Sequence, residues 1–157
     1  MHQRTGARRG LNPLTPAEEE LTLGLAERRA AQVFQNEELP QLRTRIEQAA
    51  GFEVPLEVHW EQLTVEGESH LYKDAWASVF FEPLIAAFRD IAVDEMGRNA
   101  LKQEVHRVVI KSTGNGSPDH WAHLEGGTLT LDILPTSNAG DVQERTNTLT
   151  RFLENRL

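Results

Sequence analysis

The sequence predicts an α+β domain in which an antiparallel sheet of about four strands packs in two layers against helices. Three observations carry that expectation. Residues 52–61 alternate apolar and polar with strict period two. The segment around Leu84, Ile85, Phe88, Ile91 and Ala92 repeats its apolar residues at helical spacing. Residues 105–134 are rich in β-branched residues punctuated by glycine turns.

The elements follow in order. Residues 1–14 read as a flexible basic tail, and 15–157 as a single domain. At Thr15 a helix start is written: Thr15 caps, Pro16 takes the first helical position and Glu18 completes a capping box. This helix runs to about Gln35. Asn36 opens a second one, with Pro40 in its first turn and Gly51 as its stop. The alternative is one long helix kinked at Pro40.

Phe52, Val54, Leu56, Val58 and Trp60 then form the buried phase of a strand, and Glu53, Pro55, Glu57, His59 and Glu61 the wet one. Pro55 has no N–H, which places this strand at a sheet edge. A loop around Gly67 leads to a helical region over 71–95, broken near Pro83, ended by Gly97 and followed by a short helix over 99–104. With Trp76 and Phe80 the region supplies the central core helix. Residues 105–111 are a second strand. Residues 121–125 and 128–134 form a hairpin on the Gly126-Gly127 turn. The last three strands are expected as an antiparallel meander. A capping box of Asp141 and Glu144 starts the closing amphipathic helix.

Composition narrows the function. The chain has 157 residues, the length of one ordinary domain. It contains no cysteine, which excludes disulfides, thiolate metal sites and a cysteine nucleophile. No apolar run is long enough for a membrane span. The basic start leads into no apolar signal core, so the cytoplasm is the expected compartment. Arg4, Arg8 and Arg9 give the first 17 residues a net +3, whereas the remainder carries 13 basic against 24 acidic residues, a net of −11. An acidic body repels nucleic acid and attracts basic proteins, leaving only the tail for phosphate.

Catalytic signatures are missing. There is no Gly-x-Ser-x-Gly elbow, no phosphate loop and no dinucleotide fingerprint. Four residues stand out as binding candidates. Glu57, His59 and Glu61 share the wet face of the first strand, where a carboxylate favours the protonated imidazole. Trp121 sits in a turn-rich hairpin, where a partly exposed indole serves as an anchor. Asp119, His120 and His123 form the densest cluster of metal-ligand types. On a strand, however, positions 120 and 123 face opposite ways, so chelation needs a loop.

The expectation is therefore a non-catalytic, cytosolic protein-binding domain of adaptor or inhibitor (immunity) type, needing no cofactor. The alternative is a metal-binding domain or metal-dependent enzyme holding a divalent metal on the 119–125 segment.

Overall fold

The computed structural model describes residues 24–117, 120–135 and 140–157. The basic tail, the capping box at Thr15 and Asp119 fall outside these residues.

The first helical run begins with α1 (Leu25–Val33) and ends with α2 (Leu39–Ala50), which stops at Gly51. Between them lies a π-helical turn, Phe34–Glu38, so the run continues past Asn36. Proline explains the turn. Pro40 lacks an N–H for the carbonyl four residues back, and its ring crowds that carbonyl. The wider π turn moves the bonding register, and the Leu39 N–H donates to Phe34 O instead.

The same solution recurs later in the chain. A 3-10 turn, Ser69–Leu71, leads into α4 (Tyr72–Trp76), and a second π turn, Ala77–Phe81, precedes α5 (Glu82–Ile91). Pro83 stands two residues past that turn, as Pro40 does past the first. The Glu82 N–H donates to Ala77 O.

The strand expected over 52–61 is shorter. Only β1 (Leu56–Val58) is paired, and α3 (Trp60–Leu63) begins directly afterwards. Burial decides this. One helical turn carries the Trp60 ring into an aromatic cluster, with centroids 5.9 Å from Phe34 and 5.6 Å from Trp76. A continuing strand would leave that ring at the sheet margin.

Helix α6 (Glu95–Glu104) starts four residues earlier than expected, and Gly97 lies inside its first turn. The Asp94 side chain caps it by accepting the Gly97 N–H at 2.8 Å. Gly97 is required by proximity. A Cβ there would stand 1.7 Å from the Ile91 carbonyl oxygen.

Strands β2 (Arg107–Lys111), β3 (Ala122–Glu125) and β4 (Thr128–Asp132) complete the sheet, and α7 (Val142–Arg156) closes the chain. The order is β1-β2-β4-β3, with β1/β2 and β2/β4 parallel and β3/β4 antiparallel. The sheet is mixed, so the antiparallel meander is corrected. The hairpin on Gly126-Gly127 forms as expected, but β4 rather than β3 lies against β2. The turn itself explains why. Gly127 O accepts both the His106 N–H at 2.7 Å and the Arg107 N–H at 3.1 Å. Gly127 has φ of 83°, and a Cβ there would meet His106 Nδ1 at 2.4 Å. Glycine thus lets the hairpin end lock onto the start of β2.

The first strand lies at the sheet edge, as expected, though Pro55 has a different role. Pro55 O accepts the Val108 N–H at 2.9 Å, so this residue faces β2 and opens the ladder where no donor is needed. At the opposite edge the Arg156 guanidinium, from the last turn of α7, donates to Leu124 O at 2.7 Å.

The core joins sheet and helices. Val108, Ile110, Leu124, Leu129 and Leu131 cluster with Leu84, Ile85 and Phe88 of α5 and with Leu149 and Leu153 of α7. Helix α5 is the central one, flanked by α2 and α7.

A bidentate ion pair ties α2 to α5. Arg45 donates to both oxygens of Glu82, at 2.7 and 2.8 Å. The Arg45 hydrogen bond holds the Glu82 carboxyl below its ordinary value of 4.5. A depressed carboxylate stabilises the fold above its unfolded pKa, and the contribution is lost as pH falls through the lowered folded value. Both side chains are over a third exposed, which limits the gain to about 0.5 kcal/mol. Urea unfolding should therefore show Glu82→Gln weaker by that amount at pH 7, and the gap should narrow below pH ~4.5. A gap constant with pH would assign the loss to packing.

Candidate functional site

Alternate residues of the sheet fall outside the apolar core, and these form a largely polar surface. The registers align them in rows. Arg107, Thr128 and Glu125 make one row. Glu57, Val109, Thr130 and His123 make the next. His59 follows Val58 beside the end of β2, and its N–H donates to Ile110 O at 2.9 Å. Lys111 and Asp132 pair in the third row. A concavity of about 570 Å³ opens over these rows, lined by side chains of β2, β3, β4 and the loop carrying Thr113 and Asn115.

Part of this surface is ordered by hydrogen bonds. Glu57 uses both oxygens: Oε2 meets His59 Nε2 at 2.8 Å, and Oε1 accepts from Arg107 at 2.9 Å. Arg107 Nε also donates to Thr128 Oγ1 at 3.1 Å. The result is a chain of four side chains crossing three strands. The His59 hydrogen bond first, and then Arg107, hold the Glu57 carboxyl below its usual range. Glu57 and Arg107 are about half exposed, at 48% and 50%, so solvent screens the pair and its value to folding is small. Its effect is to fix where each charge stands.

At the far end of the concavity Asp132 is buried and accepts from both the backbone N–H and the hydroxyl of Thr113, at 2.8 and 2.5 Å. That anchors the 112–117 loop beside the surface. Among the described residues, Lys111, His123 and Glu125 make no ion pair. Val109 lies at the centre and is only 5% exposed, although it is not part of the core shared with the helices.

The sequence-predicted residues distribute unevenly. Glu57 and His59 are brought together on the open surface. Glu61 is not, because the chain turns into α3 after His59 and its side chain leaves the strand phase. Trp121 is fully buried in the core, so it offers no exposed anchor. Its Nε1 finds no hydrogen-bond partner among the described residues. His120 is exposed in a bend where its N–H donates to Ser117 O, whereas His123 stands on β3 opposite Thr130. Among the described residues no three His, Asp or Glu side chains are grouped to hold one metal ion. Arg107 and Lys111 are surface residues that sequence reasoning did not place in this site, and Glu125 was read only as a third metal ligand beside His120 and His123. The signal was the polar phase of Thr128, Thr130 and Asp132, which alternates with Leu129 and Leu131.

A second cavity, of about 340 Å³, lies between the first π turn and the Ser69–Leu71 turn. Phe34 and Tyr72 floor it. Glu38 and Lys73 at its rim are 3.8 Å apart. Tyr72 is spent internally, since its hydroxyl donates to Val65 O and accepts the Val65 N–H, both at 2.9 Å.

Among the described residues no helix is long and apolar enough to cross a membrane. Comparison of the chain with protein-family models, with curated proteins and with solved structures gives no match.

Proposed function

We propose that the chain is a non-catalytic, cytosolic protein-binding domain, of adaptor or inhibitor type, that engages its partner through the open face of the sheet. In this reading the architecture is two-layered, with helices on one side of the sheet and the partner on the other. The observation that carries it is the Glu57-centred network. It fixes four polar side chains on an exposed surface where they add little to folding, beside Lys111, His123 and Glu125, which make no ion pair among the described residues. Preset charges of both signs select a partner by pattern and exclude mismatched ones. The net −11 beyond residue 17 adds long-range attraction for a basic protein.

The test is affinity capture with the wild-type chain and with Glu57→Lys as baits. A protein retained at roughly 50 mM salt, released at roughly 500 mM and not retained by Glu57→Lys is the expected result. The reading fails if no protein is retained at low salt, or if Glu57→Lys retains it equally. Unfolding curves of the two baits should agree closely, because position 57 is exposed.

A further inference from the structure

The turn joining α5 to α6 presents the two most exposed large apolar side chains among the described residues, Val93 at 77% and Met96 at 82%. Scattered exposed apolar residues are ordinary on any protein. These two differ because they lie three residues apart on one turn that is fixed from several sides. The Ala92 N–H donates to Phe88 O at 2.9 Å, ending α5. Ala92 O accepts from the Arg98 guanidinium at 3.2 Å. The Asp94 side chain caps α6, and the Arg98 N–H donates to Asp94 O at 3.0 Å. Gly97 lets the start of α6 close against the Ile91 carbonyl. Val93 and Met96 are therefore held out on fixed backbone, and burying them requires no ordering of the chain itself.

Acids outnumber bases around the pair. Residues 90–96 include Asp90, Asp94 and Glu95 and no base, with Arg89 and Arg98 flanking them. The Arg98 guanidinium is held on Ala92 O and the Asp94 carboxylate on the Gly97 N–H, which leaves Asp90 and Glu95 as the acids facing a partner. A second copy of this chain, at net −8, would add repulsion, whereas a basic surface would add attraction.

We propose that the α5–α6 turn is a second docking site, in which Val93 and Met96 enter an apolar socket rimmed by Lys or Arg on a protein partner. Met is suited to such a role because its unbranched thioether adapts to irregular sockets. Apolar anchors inside a charged rim are the usual anatomy of a binding hot spot. The ten residues of α6, about 15 Å of helix, separate this turn from Arg107, so the two surfaces are distinct.

Panning short random displayed peptides against the full chain tests the proposal. The enriched peptides are expected to combine Lys or Arg with a large apolar residue. They should bind the Val93→Ser/Met96→Ser double variant at least about tenfold more weakly. Asp90→Asn/Glu95→Gln should lose about threefold and show a shallower salt dependence. Glu57→Lys should bind them as the wild type does, which keeps this site separable from the sheet face. The serine changes are at exposed positions, so circular dichroism and Tm should match the wild type. Equal binding by the double variant overturns the proposal, as does a failure to enrich peptides above an unrelated acidic protein. Concentration-dependent dimers in light scattering that vanish in the double variant also overturn it, by assigning the turn to a second copy.

Discussion

Trp76→Ala should cost about 4–5 kcal/mol of folding free energy. The indole is fully buried and sits at the centre of the aromatic cluster. It stacks on Tyr72 at 4.4 Å and meets Phe34 edge-on at 5.1 Å. Its Nε1–H donates to Leu63 O at 3.2 Å, inside the core. Truncation removes the ring from Tyr72 of α4, Phe34 of the first π turn and Trp60 of α3 at once and leaves the Leu63 carbonyl without its donor. Domains of this size have only about 5–15 kcal/mol in total, so the variant should be marginal at 37 °C. Trp76→Phe separates the two contributions. It keeps most of the ring contacts and loses the donor, for about 1–3 kcal/mol. Urea denaturation followed by far-ultraviolet circular dichroism measures both, and a loss below about 1 kcal/mol for Trp76→Ala would remove the cluster from the centre of the core.

Gly97→Ala should lower Tm by about 4–8 °C. Two effects oppose each other. Glycine inside a helix is worse than alanine by about 1 kcal/mol, so propensity alone favours the substitution. Against it, the new Cβ would lie 1.7 Å from Ile91 O and 2.9 Å from Ile91 C. Both contacts are backbone, so no side chain can swing aside. Opening the turn breaks the Asp94 cap, which contributes about 1 kcal/mol by itself, and overpacking adds about 1–3 kcal/mol. The net loss is about 2 kcal/mol, which gives the stated shift for a domain of this length. An unchanged or raised Tm in differential scanning calorimetry would show that the turn yields freely. It would also remove the rigidity on which the Val93–Met96 surface depends.

The helical parts of this fold were legible where periodicity and caps agreed. Leu84, Ile85 and Phe88 marked α5, and all three are buried. Gly51 marked the end of α2. The hairpin turn at Gly126-Gly127 was equally plain, and Leu129 and Leu131 face the core as read. The sheet order was not. Adjacent strands in sequence favour a meander, and nothing in residues 105–134 announces that Gly127 O would take the two N–H groups opening β2. Such a bond becomes visible only when both ends are in place. Alternation misled at Trp60 because period two ran on past the true strand end. The pull of the aromatic cluster on that ring is a tertiary effect. The candidate site was half legible for the same reason. Glu57 and His59 are local to one strand, whereas Arg107 reaches them across 50 positions. Trp121 shows the limit of reading exposure from turn content, since flanking turns do not decide which way an indole folds.

Both margins of the sheet are blunted, and each by a different device. β1 offers an outer row only three residues long. β3 has the carbonyl of Leu124 already occupied by Arg156, whose guanidinium also lies 5.4 Å above the Phe152 ring. An unguarded margin is a template for polymerisation into amyloid-like ribbons. Here Arg156 acts as a stopper on the longer margin. The closing helix is thus a guard against aggregation as well as a part of the core, and the face of the sheet can remain open without exposing a sticky rim.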